Sequence, residues 1–245
     1  MKNFELLSFA NAEALAHAAA GAWLDEIDAA NRAGNRHCVA LSGGRIAQTF
    51  FVSTVELARA RRASFERVHF FWADERCVPP TDPESNFKVA DDLLFQPLKI
   101  RESQIHRLMG ELPPEAAVER AVHEILKTVP ANQDGQPILD LIFLGMGEDG
   151  HTASLFQNAR NAPQKSAICN APFIFVADSP KPPPCRISLN YGAIAAAKQV
   201  WALISGKGKE IALQETLAAE AETPLGRVIR MRPGTKIYVD IQIKI

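Results

Sequence analysis

The chain has 245 residues, 47% of them hydrophobic and 22% charged, with a formal net charge of −1. That length suits one α/β domain with a large sheet, and the composition excludes a disordered chain. Near-neutrality excludes a global field for nucleic acid or an anionic membrane, and no apolar run approaches the roughly 18 residues of a membrane span.

The first thirty residues carry Glu5, Glu13, Asp25 and Glu26 and read as an amphipathic helix rather than a signal peptide, with the helix set at 12–33. A strand follows at "HCVAL" (37–41), then "SGG", then a helix through 50–59. Next come the strand "VHFFW" (68–72), a long loop to Ser85, and a helix over 86–94. A helix at about 115–128 precedes the strand "LDLIFLG". Later strands fall at 173–177, 186–189, 200–204 and 236–243, with short helices at 191–197 and 209–217. Strands apolar on both faces and joined by helices predict an α/β fold. Its sheet is mostly parallel and doubly wound, covered on both sides, in a single domain over 1–245.

The four cysteines, Cys38, Cys77, Cys169 and Cys185, form no CxxC pair and read as reduced thiols of a cytoplasmic protein. No Cys/His cluster has the spacing of zinc ligands, so no metal is expected.

Chemistry collects after the strands. "CVAL" runs into Ser42, Gly43, Gly44 and Arg45; "VHFFW" into Ala73, Asp74, Glu75 and Arg76; "LDLIFLG" into "MGEDGH"; "VWALI" into "SGKGKE". In a parallel sheet these four loops meet at the carboxyl edge, where open α/β folds bind ligands. Gly43 and Gly44 before a helix can offer backbone N–H groups to an anion. Lys209 at a helix start is unfavourable unless an anion lies between it and the dipole. Arg186, just after the prolines of "SPKPPPC", can add a bidentate clamp. Asp74 and Glu75 point in opposite directions on a continuing strand, so one of them faces the site. His151 has Asp149 two residues away to orient it, and suits acid–base work near neutral pH. GxSxG and the P-loop are missing, and "GMGEDG" (145–150) has the glycine spacing of GxGxxG but no acid at the expected distance beyond it, which leaves activated water as the nucleophile and gives no reason for a nucleotide cofactor.

"FWADERCVPPTDPESNF", "LGMGEDGHTASLF" and "PPPCRISL" resemble the motifs of the 6-phosphogluconolactonases, which share a sugar-phosphate superfamily with the glucosamine-6-phosphate deaminase/isomerases. The resemblance runs from about residue 5 to 240. It implies cofactor-free hydrolysis of 6-phospho-D-glucono-1,5-lactone to 6-phosphogluconate, in the oxidative pentose phosphate pathway. It further implies that His151 is the base that activates water and that Asp149 orients it. Asp74 would contact sugar hydroxyls or position water. Arg76, Arg186 and Lys209 would hold phosphate or developing charge, and Gly43 and Gly44 would give amides to the phosphate.

Three places depart from family patterns. The deaminase motif GHIAFNE sets an acid five residues after its histidine, where this chain has Phe156. The usual SGGSTP is here "SGGRIA", so two hydroxyls are lost, and either Arg45 replaces them as a charge on the phosphate or the pocket takes another ligand. Gln157 stands where proline is common. The partner expected is thus a small sugar-phosphate lactone, with no nucleic acid or membrane, for a monomer or weak homo-oligomer. Two rival readings remain: a glucosamine-6-phosphate deaminase/isomerase, and a non-catalytic sugar-phosphate-binding relative.

Overall fold

The computed structural model describes residues 3–157, 171–218 and 220–242. Its strands are β1 (Phe4–Ser8), β2 (His37–Leu41), β3 (Val68–Trp72), β4 (Asp74–Arg76), β5 (Leu141–Leu144), β6 (Phe173–Val176), β7 (Arg186–Leu189), β8 (Gln199–Ile204) and β9 (Thr235–Val239). Six of them form one sheet in the order β1-β9-β8-β5-β2-β3, and every pair in it is parallel. The central strands are buried along their whole length, as a sheet covered on both faces requires.

The helices are α1 (Ala12–Arg32), α2 (Arg45–Arg61), α3 (Asn86–Ala90), α4 (Gln96–Leu98), α5 (Pro114–Thr128), α6 (Tyr191–Ala196), α7 (Glu210–Thr216) and α8 (Pro224–Met231), with a π-helical turn at Asp91–Phe95 between α3 and α4. Helices α1 and α2 pack on each other, and Trp23 of α1 meets Phe50 of α2 and Phe143 of β5 at ring distances of 5.6 and 5.3 Å. No helix among the described residues is long and apolar enough to cross a membrane.

Four features differ from what residue order predicts. The N-terminal stretch is not helical throughout: Phe4–Ser8 is an edge strand paired with β9. The strands β6 and β7 lie outside the parallel sheet, in a second, antiparallel sheet ordered β4-β7-β6. Both flank the proline segment 179–185, which is short enough to fold them back as a hairpin. The third member, β4, continues β3 by a turn out of the main sheet at Ala73. Helix α8 is an addition to the predicted elements, although Pro224 at its first position and the Thr223 side chain accepting from the Gly226 N–H at 3.1 Å are ordinary start signals. The expected last strand ends at Val239, and position 243 lies outside the described residues, as does Cys169.

The turn from β4 into α3 rests on one carboxyl. Glu75 is 2% exposed. Its Oε1 accepts from the backbone N–H of Arg76 at 2.7 Å and of Asn86 at 2.8 Å. Its Oε2 accepts from the Phe87 N–H at 2.8 Å and the Ser85 hydroxyl at 3.1 Å. Burial pushes this carboxyl from its usual 4.5 up to about 7, against the downward pull of the three backbone donors. A carboxyl whose value is raised by folding contributes its stability fully below the unfolded value. That contribution is lost as pH climbs through the folded one. Wild-type protein is therefore expected to lose stability relative to Glu75→Gln between pH 4.5 and about 7. Urea unfolding of both proteins across that window checks this, and parallel curves would show that folding does not raise the Glu75 carboxyl.

Candidate active site

The loop after β5 folds tightly on itself. The Gly147 N–H donates to the His151 carbonyl at 2.9 Å, and the Thr152 hydroxyl donates to the Gly145 carbonyl at 2.8 Å. A Cβ on Gly147 would lie 2.1 Å from the His151 ring and 2.5 Å from Asp149 Oδ1. The imidazole and its acid thus lie against a bare α-carbon, an approach open only to glycine. His151 Nδ1 is 2.5 Å from Asp149 Oδ1. Donation from Nδ1 leaves Nε2 as the acceptor nitrogen. Burial lowers the proton affinity of His151, more than Asp149 raises it. Burial pushes Asp149 up, but the His151 hydrogen bond, the His151 charge and Lys181 together hold it below its ordinary value. Phe156 covers the imidazole at a ring distance of 4.6 Å.

Helix α8 supports this loop from behind. A Cβ on Gly150 would meet Thr223 at 2.9 Å, and the Leu225 N–H donates to the Gly150 carbonyl at 3.4 Å.

Opposite the histidine is the turn from β2 into α2. Helix α2 starts at Arg45, directly after Gly44, whose φ is 99°. A Cβ on Gly43 would fall 1.9 Å from the side-chain oxygen of Asn86, so this position too excludes any side chain. Asn86 is held in turn by donating from Nδ2 to the Asp74 carbonyl at 2.9 Å.

Strand alternation along β4 sends Asp74 and Arg76 to the cleft and Glu75 to the opposite side. Asp74 is 5% exposed and accepts from the Ser154 hydroxyl at 2.6 Å. Across the ladder Arg76 is paired with Arg186. Arg76 donates from Nη1 to the Glu84 carbonyl at 2.6 Å, while its buried Nε has no hydrogen-bond partner among the described residues. Arg186 donates from Nε to the Pro183 carbonyl at 3.1 Å and from Nη2 to those of Lys181 and Pro182 at 3.1 and 3.2 Å. That geometry ties Nε and Nη2 to the proline loop and leaves the two N–H groups of Nη1, instead of the Nη1/Nη2 fork, for a ligand. Burial lowers Arg186 from its usual range, as it does Lys209, where the nearby Arg45 charge acts in the same direction.

Gly43, Gly44, Arg45, Asp74, Arg76, His151, Arg186 and Lys209 all line one cleft of about 140 Å³. Asp149 stands behind the histidine and is not among the lining residues. Three further contributors lie outside the residues that the sequence points to. Asn86 lines the cleft, Ser154 holds Asp74, and Lys181 places its Nζ 3.8 Å from Asp149 Oδ1. Each acts through a partner at least 30 residues distant or through loop geometry, except Asn86, whose place in "PESNF" beside the acidic motif is a usable signal.

This arrangement can polarise water at Nε2 while cations face an anionic substrate. The sequence profile described as glucosamine-6-phosphate isomerases/6-phosphogluconolactonase matches residues 10–238. The chain is 37% identical to the 6-phosphogluconolactonase of Treponema pallidum over 186 residues, which covers 76% of this chain and 73% of the relative. It is 32% identical to that of Haemophilus influenzae over 205 residues, covering 82% and 84%. The crystal structure of 6-phosphogluconolactonase from Thermotoga maritima superposes with a TM-score of 0.74 at 26% identity, covering 98% of this chain and 99% of that one. With histidine, acid and cations gathered at the sheet's carboxyl edge and the match spanning nearly its whole length, this chain belongs to the glucosamine-6-phosphate isomerase/6-phosphogluconolactonase family.

Proposed function

We propose that the chain hydrolyses 6-phospho-D-glucono-1,5-lactone to 6-phosphogluconate, the reaction named by its relatives. The observation that carries this reading is the His151–Asp149 pair at 2.5 Å beside a cleft rich in cations. Nδ1–H of His151 donates to Asp149, so Nε2 takes a proton from water. The resulting hydroxide adds to C1, and the C1 oxygen becomes an oxyanion. As the C1–O5 bond breaks, the imidazolium returns its proton to the departing ring oxygen. The product acid then ionises and releases one proton to solvent. Arg45, Arg76, Arg186 and Lys209 supply the positive field for phosphate and for the developing oxyanion, Gly43 and Gly44 offer backbone amides, and Asp74 positions the sugar. No step calls for a metal or organic cofactor.

The deaminase reading meets an obstacle at Phe156. The residue five places after the histidine is an aromatic ring packed on the imidazole, where ring opening of an amino sugar calls for a carboxylate. Ammonia release from glucosamine 6-phosphate would favour it nonetheless. A binding protein without turnover would show phosphate-dependent thermal stabilisation and no lactone hydrolysis above the spontaneous rate.

Replacing His151 with Ala is expected to lower kcat by about 10²–10⁴, the worth of a positioned proton-transfer group. Since Nε2 acts unprotonated and burial lowers its proton affinity, kcat/KM should fall with decreasing pH through a midpoint below the usual 6.5. A midpoint at or above 6.5 would contradict this assignment. Arg45→Ala and Lys209→Ala are each expected to raise KM by about tenfold or more for the phosphorylated lactone, the scale of a lost charged contact, and to change it much less for unphosphorylated gluconolactone. Equal losses on both substrates would remove that residue from the phosphate site.

A further inference from the structure

The ladder between β4 and β7 ends at the pair Arg76–Arg186, and the next residues along are Cys77 and Cys185. The Cys77 N–H donates to the Cys185 carbonyl at 3.0 Å, so these two residues face each other directly. Opposed residues of an antiparallel pair project from the same face, and alternation sets that face opposite to the one bearing Arg76 and Arg186. A hydrogen-bonded antiparallel pair has its α-carbons about 5.5 Å apart. That lies inside the window of about 4.4–6.8 Å that a disulfide spans. Both thiols are free and half-buried, whereas Cys38 is buried at the start of β2.

We propose that Cys77 and Cys185 form a reversible oxidation site, a cross-strand dithiol that closes to a disulfide behind the two arginines of the cleft. The co-reactant is a low-molecular-weight disulfide, RSSR. The Cys185 sulfur attacks it as thiolate and expels RS⁻, which takes up the proton that Cys185 lost. The Cys77 sulfur, as thiolate, then attacks the Cys185 sulfur of the mixed disulfide and expels the second RS⁻, which takes up the proton from Cys77. Two protein thiols are oxidised by two electrons and one RSSR is reduced to two RSH.

The order follows from the surroundings. Burial, followed by the neighbouring Cys185 and Glu75, holds the Cys77 thiol up to about 12, with Arg186 acting in the opposite sense, so Cys77 is the slower, resolving partner. Cys185 Sγ now lies 3.8 Å from the Ala177 carbonyl as a weak donor, so closure requires it to leave that contact by rotating about χ1. Closure draws the two β-carbons to about 3.8 Å, next to the residues that set the Arg76–Arg186 spacing.

The test is oxidised glutathione added to the folded protein in a Cys169→Ser background, then alkylation, intact mass and peptide mapping, with KM measured before and after. Loss of two hydrogens, a link between the peptides holding Cys77 and Cys185, and a several-fold rise in KM reversed by dithiothreitol are expected. Cys77→Ser should instead retain glutathione on Cys185. Glutathione adducts without an internal link, or no reaction, would overturn the site. Should Cys169→Ser fail to fold, the same mapping on the unmutated chain distinguishes these outcomes equally well. A link to Cys169 in the unmutated chain would also overturn the site, and a Cys77–Cys185 link with unchanged KM would overturn its coupling to the cleft. Mass and mapping do not depend on the lactonase reading, so the two can fail separately.

Discussion

One buried residue joins the two sheets. The Ala73 N–H donates to the Leu41 carbonyl at the end of β2 at 2.8 Å, and its own carbonyl accepts from the Leu189 N–H at the end of β7 at 2.7 Å. Its side chain is fully buried, so the crossover is made where nothing larger than a methyl group is in use. The chain enters this residue as a parallel strand and leaves it as an antiparallel one. That single change of partner turns Asp74 and Arg76 away from the core of the main sheet and over the ends of its strands. Without it, three consecutive charged residues would extend a strand whose neighbours are wholly apolar.

The same turn brings Arg76 directly opposite Arg186, an arrangement in which like charges repel. Local partners offset part of that repulsion: Glu84 stands 3.6 Å from Arg76, and Arg186 is wrapped in the carbonyls of the proline loop. Those carbonyls give Arg186 a second effect. By holding the backbone of Lys181, it helps set the cation that faces Asp149, and Asp149 in turn faces His151. The proline loop is therefore a strut between one of the cleft's cations and the His151–Asp149 pair, a role distinct from chain reversal.

Much of this is readable from residue order, for physical reasons. Strands buried on both faces must be apolar throughout, so "CVAL", "LIFL" and "VWALI" stand out, and loops following parallel strands share one edge by topology. The alternation argument at Asp74 and Glu75 needs only a continuing strand. What stays hidden depends on partner choice. Nothing local in "RISL" or "FIFV" distinguishes a parallel central strand from a member of an antiparallel ribbon, and only pairing with β4 decides it. The segment "FELLS" is too short for its period to separate an edge strand from the helix that follows. The burial that loads Glu75 is likewise invisible until Asn86 and Phe87 fold back over it.

Charge placement explains how a chain of net charge −1 presents an anion site. Among the described residues, four cationic side chains and one carboxylate line the cleft, so the local field opposes the global one. Arg45 is the unusual member. It opens a 17-residue helix that has no acid in its first turn, and its charge bears on Lys209 across the cleft. A cation at a helix start is disfavoured by about 0.3–1 kcal/mol, and a second cation nearby adds to that. Two hydroxyls in the usual positions would grip a phosphate with neutral hydrogen bonds and leave the empty site relaxed. On the proposed function, Arg45 would replace that grip with a long-range attraction that screens with salt and leaves the empty site under mutual repulsion. On that proposal, a dianion lying between Arg45, Lys209 and the amides of Gly43 and Gly44 would relieve all of these unfavourable terms at once, and the departure from the common motif would then change how the phosphate is held without removing the place that holds it.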